Sequence, residues 1–183
     1  MSFGLTPPSP DRNSEATRTY VNPTPAAVAI VPVHAMNPDT GRRELGLLTI
    51  ERGIPPQVGQ FALPGGYIEQ GEDWRAALLR ELYEETGVRI DNLDCVTLKG
   101  AHSVDENRKI VLFGLVPAVT EAHLGNFVPN LECPRFQIIF KACELAFSTH
   151  TEMARQFFNC MCAEHSPALH DLIVPHGFHY NEK

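Results

Sequence analysis

The sequence predicts an α/β domain in which a central helix stands between two groups of strands. Apolar, β-type runs at residues 26–33 and 44–51 precede the helix, and further strand candidates follow it. The central helix is predicted for residues 73–87, because good helix formers run from an N-cap aspartate to a terminating glycine. A second helix is predicted for residues 150–163.

The length of 183 residues suits one domain. We place this domain at residues 23–165. Residues 1–22 are expected to form a flexible arm, because they combine prolines with polar residues and show no hydrophobic period. Residues 166–183 are expected to form a C-terminal tail.

The first two strands are predicted to pair as a hairpin. Residues 26–33 read as one buried strand with the sequence AAVAIVPV, and residues 44–51 as the returning strand. Between them, residues 37–41 (NPDTG) carry the residue types that favour a turn.

The segment after the central helix contains four further strand candidates, at residues 93–101, 109–116, 136–140 and 144–147. A long, proline-bounded stretch without a clear period occupies residues 117–134. Loops of this length in compact domains tend to carry function, so we expect this stretch to contribute to substrate choice.

Composition and charge exclude several classes of protein. The formal charge of −7 argues against a protein that coats extended nucleic acid, which requires a basic face. No apolar run approaches the roughly 20 residues needed to span a membrane. Five irregularly spaced cysteines indicate reduced thiols and a cytoplasmic location.

The central helix concentrates carboxylates on one face. Glu81, Glu84 and Glu85 stand at positions i, i+3 and i+4, where side chains are neighbours. Like charges at this spacing destabilise a helix by a few tenths of a kcal/mol. Mg²⁺, or Mn²⁺ in its place, relieves the repulsion, because hard divalent cations prefer carboxylate oxygens and keep water for substrate phosphates.

An acidic helix face is usually no more than a solvated surface. The context favours a site, because the helix follows the turn residues Pro64, Gly65 and Gly66. Arg80 also lies four residues before Glu84, where it can pair with that carboxylate and fix its geometry.

The whole stretch from Gly66 to Val88 resembles the Nudix box. The positions that carry the resemblance are Gly66, Glu72, Arg80-Glu81-Leu82, Glu84-Glu85 and Gly87-Val88. The resemblance implies a Nudix-type α/β/α sandwich with a mixed β-sheet. It also implies metal-dependent hydrolysis of a nucleoside diphosphate linked to another moiety, such as a nucleotide sugar, a dinucleotide or a nucleoside triphosphate.

The same resemblance assigns roles within the box. Glu81, Glu84 and Glu85 are the expected metal ligands, and the Gly66 carbonyl is an additional one. Arg80 is expected to orient the glutamates. Glu72 is expected to support the loop or to bind a second ion.

The general base has several candidates. Glu81 is the first choice within the box. Among later carboxylates Glu144 is preferred, followed by Glu132 and by the pair Asp105 and Glu106.

The box does not identify the substrate. Arg52, at the end of the second predicted strand, is a candidate phosphate contact. The alternative to an enzyme is a catalytically silent Nudix module that binds a nucleotide as a sensor; the complete set of box carboxylates favours the enzyme. A homodimer is a further expectation from the family.

Overall fold

The structure is a computed structural model that describes residues 22–106 and 108–163. The predicted tail and, apart from Asn22, the predicted arm lie outside the described residues, as does the end of the predicted domain. The described residues form nine strands and two α-helices: β1 Thr24–Ile30, β2 Pro32–Asn37, β3 Arg42–Glu51, β4 Phe61–Ala62, β5 Gly65–Tyr67, α1 Trp74–Thr86, β6 Thr97–Val104, β7 Lys109–Leu115, β8 Val119–Thr120, β9 Phe136–Ile139 and α2 Ser148–Ala163.

The strands form two mixed sheets. The first sheet has the order β5-β1-β7-β6, in which β1 and β7 are parallel and the other neighbours are antiparallel. The second has the order β4-β3-β2-β8, with β9 also paired to β3 and with β2 and β8 parallel. The predicted α/β class with mixed sheets is therefore confirmed.

The two helices cover opposite faces of β1. Successive side chains of a strand point to opposite faces of its sheet, and here they enter two different apolar clusters. Ala27 and Ala29 share a cluster with Leu78 and Leu82 of α1. Val28 and Ile30 belong to a second cluster, which contains Met153 and Ala154 of α2. Covering both faces explains why β1 reads as a continuous apolar run.

The single strand predicted for residues 26–33 is in fact two strands in different sheets. β1 ends at Ile30 and β2 begins at Pro32, so that Val31 joins the two sheets. Pro32 has no N–H to donate to a ladder. The neighbouring carbonyls are bonded across the junction, where Ile30 accepts from the Val116 amide (3.1 Å) and Val31 from the Leu48 amide (3.0 Å).

The predicted hairpin is present as β2 and β3. Its turn is closed by the Gly41 amide, which donates to the Asn37 carbonyl at 2.8 Å. The predicted strand at residues 144–147 was wrong. This segment instead leads into α2, with the Leu145 amide donating to the Thr151 hydroxyl at 2.9 Å and the Ala146 amide to the Phe61 carbonyl at 2.7 Å.

Neither helix formed by residues 22–106 and 108–163 has the length and apolar character needed to cross a membrane.

Candidate active site

Helix α1, which carries the predicted carboxylates, is capped at both ends and packed into the core on one side. The side chain of its N-cap, Asp73, accepts from the Arg75 amide at 2.8 Å. At the other end Gly87 adopts the left-handed conformation (φ 72°), and its amide donates to the Tyr83 carbonyl at 2.8 Å. Both predicted helix ends are confirmed. Burial of Leu78 and Leu82 fixes the rotation of the helix and hence the direction of its acidic face.

The glycine turn before the helix lies directly against this face. Gly66 pairs with Ala27 of β1 in the antiparallel ladder. A Cβ atom at Gly66 would lie 2.5 Å from the carboxyl carbon and from one carboxyl oxygen of Glu81. A side chain at this position would therefore displace the Glu81 carboxylate.

Glu85 contacts the same turn. One of its carboxyl oxygens accepts from the Gly65 amide at 2.8 Å. Burial raises the pKa of Glu85 to about 8, although the Gly65 amide and the positive charge of Arg52 oppose the shift. In the part of the chain that the structure describes, no hydrogen bond reaches the second carboxyl oxygen. Glu85 is therefore a partly buried acid with free coordinating capacity.

Arg80 connects three glutamates. Its Nε and one terminal nitrogen donate to both oxygens of Glu72, at 2.9 and 3.0 Å. The other terminal nitrogen donates to Glu81 at 2.8 Å and to Glu84 at 3.2 Å. The bidentate pair with Arg80 lowers the pKa of Glu72 and raises that of Arg80. Helical spacing predicted the link to Glu84, and the family resemblance implied only in general that Arg80 orients the metal-binding glutamates. The link to Glu72 was not predicted.

Glu81 has an environment different from that of Glu72. Burial raises the pKa of Glu81 above its ordinary value, and the neighbouring carboxylates Glu84 and Glu132 add to the shift. The hydrogen bond from Arg80 opposes it. The pKa values of Glu72 and Glu81 are therefore shifted in opposite directions although both residues bond to Arg80, and Glu81 is the better proton acceptor.

A cleft of about 350 Å³ opens beside these carboxylates. Its walls come from α1 and from a turn in the long segment before β9. The lining residues are Glu81, Glu84, Glu85, Asn130, Leu131 and Glu132.

The predicted residues outside the box differ in where they lie. Asp105 and Glu106 do not line the cleft, and Asp105 pairs with Lys109 at 2.8 Å. Glu132 lines the cleft. Glu144 does not line it, and its carboxylate instead pairs with Arg155 at 2.5 Å. Arg52 lies close enough to influence the pKa of Glu85; its Nε donates to the Pro56 carbonyl at 2.7 Å, and its guanidinium covers the Phe147 ring at 5.0 Å.

Asn130 and Leu131 are cleft residues that sequence reasoning did not identify. The sequence feature that pointed to them was the long, proline-bounded segment at residues 117–134. It indicated a functional loop but did not show which of its residues line the cleft. Within that segment nothing in the residue types distinguishes Leu131 from a buried leucine.

The donor set suits a hard divalent cation, which prefers carboxylate and carbonyl oxygens. Glu81 and Glu85 are partly buried and lie against Gly66 and Gly65 of the glycine turn, and Glu85 has an oxygen without a partner among the described residues. Within residues 22–106 and 108–163, however, no three His, Cys, Asp or Glu side chains converge as a ready-made metal cluster, and one oxygen of Glu84 accepts a hydrogen bond from Arg80. The residues therefore fit a divalent cation by the chemistry of their oxygens.

Comparison with known proteins gives a match to a family model and to several related proteins. The NUDIX domain model matches residues 23–136. An ADP-ribose pyrophosphatase from Methanocaldococcus jannaschii is 35% identical over 77 residues, which are 42% of this chain and 40% of that protein. A putative 8-oxo-dGTP diphosphatase 2 from Mycobacterium tuberculosis is 37% identical over 76 residues, which are 37% of this chain and 54% of that protein. The chain therefore spans about half the length, or less, of these curated relatives.

Solved structures share the fold at low identity. A MutT/nudix family protein from Enterococcus faecalis superposes with a TM-score of 0.61 and 19% identity, covering 81% of this chain and 66% of that one. The NUDIX domain of Shewanella oneidensis NrtR, solved in complex with ADP ribose, gives a TM-score of 0.60 and 14% identity, covering 81% and 94%.

Proposed function

Since this chain belongs to the Nudix family, we propose that it is a metal-dependent hydrolase that cleaves the diphosphate linkage of a nucleoside diphosphate joined to another moiety. Relatives named as an ADP-ribose pyrophosphatase and a putative 8-oxo-dGTP diphosphatase support a nucleotide substrate. The substrate itself is left at this class.

The observation that carries the proposal is the acidic cleft. Four carboxylates line it, those of Glu81, Glu84, Glu85 and Glu132. Such a surface repels a diphosphate, and an enzyme would use it for this substrate only with cations between the two sets of negative charges.

Mg²⁺, or Mn²⁺ as a substitute, would be held by Glu81, Glu84, Glu85 and the Gly66 carbonyl, and when bound it would neutralise the diphosphate and activate water. Glu72 suits its alternative role of loop support, because both of its oxygens already accept hydrogen bonds from Arg80 and one also accepts from the Glu69 amide. Through Arg80, Glu72 fixes the positions of the catalytic carboxylates.

Glu81 is the general base that we favour. It lines the cleft, and burial raises its pKa towards neutrality, which is the direction that general-base catalysis requires. Glu132 is the second candidate, since it lines the same cleft. Glu144 ranks behind both because it is exposed and paired with Arg155.

Arg52 is the proposed substrate contact outside the box. Two of its nitrogens donate to the carbonyls of Pro56 and Ile54, which holds the guanidinium in place. Its charge acts on Glu85 at the cleft, so a phosphate bound there would lie within its field.

The test is hydrolysis of a panel of nucleoside diphosphate derivatives with and without Mg²⁺, comparing wild type with Glu84→Gln. We expect Mg²⁺-dependent release of two phosphate-bearing products by the wild type, and a loss of about 10- to 1000-fold in the variant, in the range seen when one electrostatic group is removed from an active site. Glu121→Gln, which changes an exposed glutamate outside the cleft, is the matched control.

Tight nucleotide binding without Mg²⁺-dependent turnover across the panel would contradict the proposal. That outcome would instead support the alternative, a nucleotide sensor.

The proposal includes a cytoplasmic location and a homodimer. Cys95, Cys133, Cys143 and Cys160, within the described residues, are free thiols, which suits a reducing compartment. Light scattering of the purified chain tests the assembly.

A further inference from the structure

Two loops meet at the mouth of the cleft. The first, which follows β3, begins at Arg52, and the second contains Leu131 and Glu132. The Gly53 amide donates to the Glu132 carbonyl at 2.8 Å. A Cβ atom at Gly53 would lie 1.9 Å from the Leu131 carbonyl oxygen, so only glycine permits this approach. The position of the second loop is therefore fixed by the first.

The second loop is also held from within. The side-chain oxygen of Asn130 accepts from the amides of Glu132 and Cys133, at 2.9 and 2.8 Å. The Asn130 amide donates in turn to the Cys133 carbonyl at 3.1 Å, and Cys133 is fully buried. These bonds close a tight turn whose tip is Leu131.

Leu131 combines this fixed backbone with an exposed side chain. It is 89% exposed although it lines the cleft. Ile54, which directly follows Gly53 on the facing loop, is 41% exposed. Single exposed apolar residues are ordinary, but a leucine at the tip of a turn pinned on both sides gives an apolar rim to a cleft that is otherwise acidic.

We propose that the Leu131 turn is a nucleobase subsite, in which Leu131 packs on the flat face of the base of a bound nucleotide. The inference rests on the proposed function, which places the phosphates at the carboxylates of α1. The group attached to the phosphates then extends along the rest of the lining, towards Leu131.

The chemistry of the rim selects a base over the other parts of such a substrate. A sugar hydroxyl buried against leucine would lose its hydrogen bonds to water without replacement. A further phosphate would meet the negative charge of Glu132. The face of a base carries no charge and needs no hydrogen bond, and covering an exposed leucine removes apolar surface from water.

The experiment compares ligands that differ only in the base. AMP, GMP, UMP and ribose 5-phosphate are titrated into wild type, Leu131→Ser and Val128→Ser in the presence of Mg²⁺, with binding followed by calorimetry. Val128 is the matched control, because it is 74% exposed in the same segment but does not line the cleft.

We expect Leu131→Ser to weaken binding of the nucleotides by about 5- to 20-fold, as partial loss of a leucine contact predicts. Binding of ribose 5-phosphate should be unchanged, and Val128→Ser should behave as wild type. With a turned-over substrate the variant should raise KM and leave kcat unchanged, the pattern of lost uniform binding.

Three results would overturn the inference: nucleotides that bind Leu131→Ser as tightly as wild type, equal weakening of the nucleotides and ribose 5-phosphate, or a wild type that binds nucleotides no better than ribose 5-phosphate. An absence of turnover would contradict the proposed function alone, since the base-dependent difference in binding is measured without it.

Discussion

Arg80 is the residue on which the geometry of the acidic face depends. Its guanidinium bonds to Glu72 on the loop and to Glu81 and Glu84 on the helix, and it also donates to the Tyr67 carbonyl at 3.0 Å. A planar group with five donors can satisfy this arrangement, whereas an ammonium group cannot. The helix face, the glycine turn and the preceding loop are thereby held in one arrangement.

Replacing Arg80 with lysine tests this role while keeping the charge. We expect Arg80→Lys to lower kcat/KM or metal affinity by about 10- to 100-fold, the usual cost of losing a residue that orients metal ligands. Arg89→Lys is the control, because Arg89 is exposed and pairs only with Asp91 among the described residues. Activity assays and metal titration provide the measurement. An Arg80→Lys protein with wild-type values for both would show that the network is not needed.

At the scale of single residues, the sequence predicts contacts between side chains of the same helix but not contacts between a helix and a loop. The Arg80–Glu84 contact follows from helical spacing alone. The bidentate contact with Glu72 does not, because it depends on the path of the loop from Gly66 to Asp73. The ranking of Glu144 above Glu132 has the same origin: proximity to the cleft is decided by how the segment before β9 folds back on Gly53.

At the scale of elements, the predictable features are those with local causes. The ends of α1 follow from Asp73 and Gly87, and the β2–β3 hairpin follows from its turn residues. The passage from one sheet to the other at Val31 has no local cause other than Pro32, and its position is set by bonds to Leu48 and Val116, far away in sequence. Long-range partners of this kind are not visible in a sequence window.

Helix α2 is tied to the glycine turn through His150. This histidine is buried on the first turn of α2, and its Nδ1 accepts from the Leu63 amide at 3.1 Å, directly before the Pro64-Gly65-Gly66 turn. Burial lowers the pKa of His150 from 6.5 to about 3, and the positive charge of Arg52 contributes to the shift. The histidine is neutral in the folded domain.

This buried histidine predicts that acid destabilises the domain. Between pH 6.5 and about 3 the unfolded chain binds a proton at His150 that the folded chain does not. The contribution of the neutral His150 to the free energy of unfolding is therefore fully present above pH 6.5 and is lost as the pH falls. From about pH 7 to about pH 5 this residue should remove about 2 kcal/mol from the free energy of unfolding.

Urea unfolding of wild type and His150→Gln at both pH values gives the measurement. The glutamine keeps an acceptor for the Leu63 amide but does not titrate, so the variant should lose about 2 kcal/mol less than wild type on acidification. His34→Gln, at an exposed position on β2, should retain the wild-type dependence. Equal losses in wild type and His150→Gln would contradict the assignment.

At the scale of the whole molecule, the cleft lies where separately stabilised parts meet. Helix α1 rests on one face of β1 and α2 on the other. The glycine turn pairs with β1 itself. The loop that begins at Arg52 leads into β4, and the loop that contains Leu131 and Glu132 leads into β9, both on the second sheet. A cation bound by Glu81, Glu85 and the Gly66 carbonyl would join α1 to the glycine turn, and through the turn to β1, and it would stabilise the folded domain.

Mg²⁺ should therefore raise the thermal unfolding temperature, and more so at alkaline pH. Binding to the folded state alone at 100 times Kd adds about 2.7 kcal/mol. Below its pKa of about 8 the Glu85 carboxyl carries a proton that the cation must displace. The raised pKa of Glu85 also stabilises the metal-free fold at low pH, and this stabilisation is lost as the pH rises through about 8. Each Mg²⁺-induced shift is therefore measured relative to the metal-free protein at the same pH.

The apparent affinity of the protein for Mg²⁺ should be roughly 20-fold lower at about pH 6.5 than at about pH 8.5, because the proton occupies the Glu85 carboxyl at the lower pH. Thermal melts with MgCl₂, or with NaCl at equal ionic strength, measure the shift. Glu85→Gln should remove most of it at both pH values while preserving the acceptor for the Gly65 amide. A thermal shift that is independent of pH and of Glu85 would place the cation elsewhere. The expected rise of Mg²⁺ affinity with pH requires a ligand whose protonation competes with binding of the cation.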